Sequence, residues 1–257
     1  MTPIKYTPAT YFTKATRGPG DVTLVVIHTA ECGETTNAAE SLASWGGGPN
    51  ANKASWHYAV DNDSITQSCL EKDIAWHAGP VNNYSIGVEH AGRAAQTAEQ
   101  WADDYSLATL ERSAELVADI CTRHGIQPWR LTADDLKRGA RSGICGHVDV
   151  TNGLTAGKGH QDPGPGFPFA WYIERVQSYT ARVSAPRPLS AAMIQTTADV
   201  QRALARLGYE PGPVDGVAGP RTKTAIAAYQ AAERLLVDGV AGPVTKTALT
   251  RSLASVR

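Results

Sequence analysis

Residues 157–167 read GKGHQDPGPGF, which sets His160 two positions before Asp162 and then enters Pro163-Gly164-Pro165-Gly166. Proline and glycine at that density do not fit a helix interior or a central strand, so the segment is a loop with a constrained path. Loops held by a rigid scaffold are where chemistry concentrates. Its potential partners are His28 at the end of a β-branched run, His147 in CGHVDV, Glu89 in YSIGVEHA, and His57, His77 and His90. Two histidines and one carboxylate satisfy three positions of a tetrahedral zinc and leave one open for water. His28, His147 and Asp162 could supply such a set. There is no local HExxH-type motif, so spacing leaves two plainer readings open: a core histidine at a strand end and a turn-capping aspartate.

The elements that must hold these residues are partly visible. TLVVIH (23–28) reads as a buried strand ending at His28. TTNAAESLASW (35–45) reads as a helix stopped by Gly46-Gly47-Gly48-Pro49, and SWHYAV (55–60), DND and SITQSC (64–69) as a hairpin. In YSIGVEHA, Ile86, Val88 and His90 alternate with Ser85, Gly87 and Glu89, so Glu89 lies on the face opposite Val88. A helix over about 106–124 places Leu110, Ala114, Val117 and Cys121 on one face, with Gly125 as its terminator, and WYIERVQSY (171–179) reads as a closing helix. The mixture predicts an α/β domain over 1–183, with a mixed central sheet flanked by helices.

SAPRPLSAAMIQT begins a linker, placed over 184–197. Beyond it VDGVAGPRTKTA (214–225) recurs as VDGVAGPVTKTA (237–248), each copy with an Asp-Gly turn and a proline suited to the first helical position. With a preceding helix carrying Val200, Leu204 and Leu207, residues 198–257 form a small three-helix bundle. Residues 1–183 hold 15 Lys/Arg and 20 Asp/Glu, and residues 198–257 hold 8 and 5. The mildly basic tail would favour an anionic surface, while a net charge of −1 for the whole chain offers no argument for nucleic acid. No apolar run is long enough to span a membrane, and the N-terminus lacks a signal-peptide h-region. Cys32, Cys69, Cys121 and Cys145 form no CxxC pair and read as reduced thiols of a protein made in the cytoplasm.

The ordered set VVIHTAECGET, SWHYAVDNDSIT, AWHAG, NNYSIGVEHAG, GHVDV and HQDPGPGF resembles the zinc-dependent N-acetylmuramoyl-L-alanine amidases, the family that also includes peptidoglycan recognition proteins. The likeness covers nearly all of residues 20–180. It implies Zn²⁺ on His28, His147 and Asp162, with Glu89 as the catalytic glutamate. Many members have a lysine where this chain has His160, and some a tyrosine where it has Trp56. The resemblance gives His160 the lysine's task of steadying the oxyanion. An imidazole, unlike an ammonium, ordinarily loses its charge near neutral pH, so activity is expected to fall as pH rises. Trp56, His57, Trp76 and His77 are candidates for lining the substrate groove. VQRALARLGYEPGPVDGVAGPRTKTAIAAYQ is similar to the small peptidoglycan-binding domain of wall hydrolases.

The implied activity is hydrolysis of the amide between N-acetylmuramic acid and the L-alanine of the stem peptide. Bacterial peptidoglycan is the expected partner and a monomer the expected state. A wall-binding module without a signal peptide suggests a bacteriophage endolysin, made in the host cytoplasm and released to the wall for cytolysis. Two alternatives stand beside this reading: a receptor that binds peptidoglycan without cleaving it, and a cysteine peptidase using Cys32 or Cys145.

Overall fold

The computed structural model describes residues 4–49, 53–184, 194–233 and 235–255. The chain divides into two compact units, Met1–Ser184 and Ala185–Arg257. Most of the expected linker lies outside the described residues.

In the first unit the strands are β1 (Lys5–Tyr6), β2 (Phe12–Thr13), β3 (Leu24–Thr29), β4 (Tyr58–Val60), β5 (Ile65–Gln67), β6 (Ile74–Ala75), β7 (Ser85–His90) and β8 (Gly143–Gly146). The helices are α1 (Ala38–Gly46), α2 (Asp104–His124), α3 (Ala133–Lys137), α4 (His147–Leu154) and α5 (Phe169–Ser184). Six strands form one sheet in the order β1-β5-β4-β7-β3-β8, and β2 pairs with β6 separately. Strands β4, β7, β3 and β8 run parallel, and β5 returns antiparallel beside β4 through the expected hairpin.

Strand β3 is buried along its whole length because both of its faces are covered. Val25 and Ile27 pack with Leu110, Val117, Tyr172 and Val176 of α2 and α5. Leu24 and Val26 pack with Leu131, Leu136, Cys145 and Val150 on the other side. His28 continues the second set by the two-residue period of a strand. Helix α2 begins under an Asp103 cap that accepts from the Ser106 amide at 2.8 Å, and Gly125 ends it at φ +70°. Strand β8, only GICG, lacks any hydrophobic period, and local pattern announces neither it nor β1, β2, β6, α3 and α4.

The second unit contains α6 (Thr197–Arg206), α7 (Pro220–Ala232) and α8 (Pro243–Ser255). Thr196 caps α6, so that helix starts one residue inside the segment read as linker. Each Asp-Gly loop is closed by a buried glutamine. The Gln201 amide nitrogen donates to Asp215 Oδ1, the Val217 carbonyl and Thr222 Oγ1, and its oxygen accepts from the Gly216 amide. Gln230 repeats this with Asp238, Val240, Thr245 and the Gly239 amide. The sequence repeat is thus a repeated hydrogen-bonding unit.

Candidate metal centre and active-site cleft

Three neighbouring parallel strands end together, and ligand sites of open α/β sheets form at such carboxyl ends. His28 on β3 stands opposite Glu89 on β7, and Ile27 stands opposite Gly146 on β8. His147 follows Gly146 as the first residue of α4. The sheet register therefore brings His28, Glu89 and His147 side by side from positions far apart in the chain.

Asp162 reaches the same point on the loop. Its Oδ2 lies 3.0 Å from His28 Nδ1 and its Oδ1 lies 3.2 Å from His147 Nδ1. Its backbone carbonyl accepts from the Val148 amide at 2.7 Å, tying the loop to the start of α4. The glycines explain the unusual sequence that follows. A Cβ on Gly164 would sit 1.9 Å from the Ala94 carbonyl oxygen, and one on Gly166 would sit 2.0 Å from that of Gln96. Only residues without side chains let the loop press this closely on 94–97. Glu31 anchors that wall from the end of β3: its Oε1 accepts from Thr29 Oγ1 and from the Ala94 amide.

Ligand atoms of His28, His147 and Asp162 all lie within 4.8 Å of one another. Two imidazoles and one carboxylate converging in this way could hold a divalent ion such as zinc. Burial drives the His28 pKa down, partly countered by its bond to Asp162. Burial alone would raise the Asp162 carboxyl, but hydrogen bonds from His147 and His28 outweigh it and keep the group ionised. Glu89 behaves oppositely: burial, then the Asp162 and Glu31 charges, push its carboxyl well above the usual range. Its Oε2 is sealed from solvent and has no hydrogen-bond partner among the described residues. A buried carboxylate oxygen with no donor beside a potential cation site suits a group that exchanges a proton with something bound there.

These residues open into a cleft of about 420 Å³. His160 lines it from an exposed position, its ring stacked on His147 at 5.1 Å between centroids. Of the four groove candidates, Trp56, Trp76 and His77 line the cleft. Trp56 is itself buried and supports Trp45, stacked on it at 5.9 Å and 5°. Trp45, missed at the sequence level, is 41% exposed and Trp76 36%, so these two offer open aromatic faces. His57 does not reach the cleft: it is fully buried behind it. Its Nδ1 accepts from the Gly87 amide at 3.1 Å, and its Nε2 lies 2.9 Å from Arg17 Nη2 and 3.3 Å from the Asp73 carbonyl. Burial and the adjacent Arg17 charge lower its pKa to about 3, so it stays neutral.

The four cysteines are free. Burial pushes the Cys32 and Cys145 thiols up, away from the thiolate a nucleophile needs, and Cys145 packs in the apolar core. No helix among the described residues is long and apolar enough to cross a membrane. The second unit has its own cavity of about 280 Å³. Lys223 and Lys246 line it from equivalent positions in the two repeat copies.

Residues 18–165 match the family model for N-acetylmuramoyl-L-alanine amidase, and residues 195–249 match that of a putative peptidoglycan binding domain. The chain is 31% identical over 157 residues to N-acetylmuramoyl-L-alanine amidase A of Achromobacter lyticus, covering 59% of this chain and 81% of that protein. Among solved structures, hydrolase AmiA of Staphylococcus aureus, determined in complex with its ligand, superposes with a TM-score of 0.56 at 21% identity. That match covers 70% of this chain and 84% of the other, and it shows a shared fold.

Proposed function

Because the chain belongs to the N-acetylmuramoyl-L-alanine amidase family, we propose that it cleaves the amide joining N-acetylmuramic acid to the L-alanine of the stem peptide, with His28, His147 and Asp162 holding zinc and Glu89 as general base. The observation that carries this reading is the register of β3 against β7, which sets Glu89 beside the first of the three converging ligand residues. The donor set and the unpartnered Glu89 oxygen fit a divalent cation.

When bound, zinc supplies Lewis acidity that activates a water and polarises the scissile carbonyl. Glu89 takes the proton of the attacking water and delivers it to the departing amine of alanine. Its partly closed surroundings keep that proton from exchanging freely with solvent. His160, at the cleft edge, donates a hydrogen bond to the oxygen on which negative charge develops. Trp45 and Trp76 give the substrate two open aromatic faces, and Trp56 holds Trp45 in place.

The second unit retains the enzyme on peptidoglycan, raising its local concentration on an insoluble substrate. A hydrolase joined to a wall-binding unit suits lysis of a host cell by a bacteriophage. The test is digestion of purified peptidoglycan with and without chelator, assaying new N-terminal alanine and new reducing ends. Chelator-sensitive N-terminal alanine without reducing ends is expected. Wall binding with no new ends would replace this reading with that of a peptidoglycan receptor.

A further inference from the structure

His77 lines the cleft, yet both of its ring nitrogens are engaged within the protein. Nδ1 lies 3.0 Å from His28 Nε2, and Nε2 lies 3.0 Å from Ser85 Oγ. The rings of His28 and His77 meet edge to face, 5.2 Å apart at 84°. The seat of His77 is built into β7. A Cβ on Gly87 would fall 2.6 Å from His77 Cγ, so the ring rests where only glycine leaves room. Ser85, Gly87 and Glu89 share one face of β7 by the two-residue period, and that face thus carries a partner for His77, its seat and the candidate base.

We propose that His77 is a positioning residue for His28: it accepts the His28 Nε2–H, which leaves Nδ1 free to hold the metal, and Ser85 fixes the His77 tautomer in turn. The proposal rests on the reading of His28 as a zinc ligand. The nitrogen of His28 that faces Asp162 is Nδ1, so Nδ1 is the atom aimed at the shared centre. A neutral imidazole carries one hydrogen. Where Nδ1 bonds a metal, that hydrogen sits on Nε2 and needs an acceptor. His77 Nδ1 is that acceptor only if its own hydrogen is on Nε2, pointing at Ser85 Oγ. Where Nδ1 of His28 instead donates to Asp162, a carboxylate that only accepts, both bonds run the other way, and Ser85 Oγ–H donates to His77 Nε2. The serine hydroxyl suits both directions because it donates and accepts. Zinc loading therefore moves the His77 hydrogen from Nδ1 to Nε2, with one hydrogen on the ring throughout.

Two measurements on the full chain test this. In imidazole ¹⁵N NMR, zinc titration is expected to convert His77 from the Nδ1–H to the Nε2–H tautomer, and an unchanged tautomer overturns the proposal. In competition with a chromophoric chelator, His77→Phe is expected to weaken zinc binding by about 10–100-fold. His77→Asn, whose side-chain oxygen takes the place of Nδ1, is expected to recover most of that loss. Wild-type zinc affinity in a folded His77→Phe protein overturns the proposal while leaving the zinc reading intact. If wild-type protein binds no zinc, both fall. The NMR arm uses unmodified protein and decides the matter even if His77→Phe does not fold.

Discussion

The two units bury polar side chains in opposite ways. In the second unit, Gln201 and Gln230 are almost wholly enclosed, and each amide bonds to its own Asp-Gly loop and the threonine beyond it. In the first unit, His28, His147 and Asp162 converge on one another, with Glu89 beside them in the cleft, and Glu89 Oε2 finds no donor among the described residues. A buried polar group satisfied by adjacent backbone holds a fold together. A cluster aimed at a common point with a bond unmade costs stability, and it persists where something else completes it.

The sharpest way to break this contrast is Glu89→Gln. It is expected to lower kcat about 1,000-fold with zinc content unchanged. Its melting temperature should hold or rise, because an amide replaces a sealed carboxyl. Activity within tenfold of wild type would remove Glu89 from the mechanism. Next in size is Gly164→Ala, which sets a methyl against the Ala94 carbonyl at φ +80°. A loss of about 3 kcal/mol in urea unfolding is expected, with zinc retention falling because Asp162 shares the loop.

For the second unit, Gln230→Leu keeps the volume but strands the Gly239 amide and the Val240 carbonyl. It should cost about 2 kcal/mol. Hydrogen exchange should quicken at α7 and α8 amides while cleavage of small soluble muropeptides stays unchanged. Equal effects on cleavage would show that the two kinds of burial are not separable.

The smallest effect is a pH dependence away from the cleft. Burial would raise the Glu71 carboxyl, but bonds from Arg123, His124 and Tyr58 outweigh it and hold the group at about 2. A carboxyl lower in the folded than in the unfolded chain stabilises fully above its ordinary value near 4.5, and that contribution fades as pH falls towards 2. Glu71→Gln should therefore cost on the order of 1–2 kcal/mol at pH 7 and flatten the slope of stability between pH 4.5 and 2. An unchanged slope in urea titrations would assign the acid response elsewhere.

Local pattern carried much of the architecture. The β-branched run before His28, the apolar face of α2 closed by Gly125, and the repeated Asp-Gly loops each announce themselves within a few turns of chain. Strand β8 could not do so. GICG is too short and glycine-rich for any period, and it is a strand because β3 offers it a pairing edge. Trp56 and Trp76 are groove candidates in the sequence and Trp45 is not, yet which ring faces outward depends on the stack of Trp45 over Trp56. His57 and His77 look alike in sequence. Gly87 separates their fates, donating its amide to His57 and leaving its missing Cβ as the seat of His77.

By itself the sequence determined the longer elements, the repeat and the residue types able to take a metal, because those depend on neighbours a few positions away. Resemblance in ordered motifs singled out His28, His147, Asp162 and Glu89 from the remaining histidines and carboxylates. Only the tertiary structure decided that His28 and Asp162, 134 positions apart, meet at 3.0 Å, and that His57 turns away. Such distances follow from sheet register and loop packing, which depend on pairings between strands that no single stretch of chain contains.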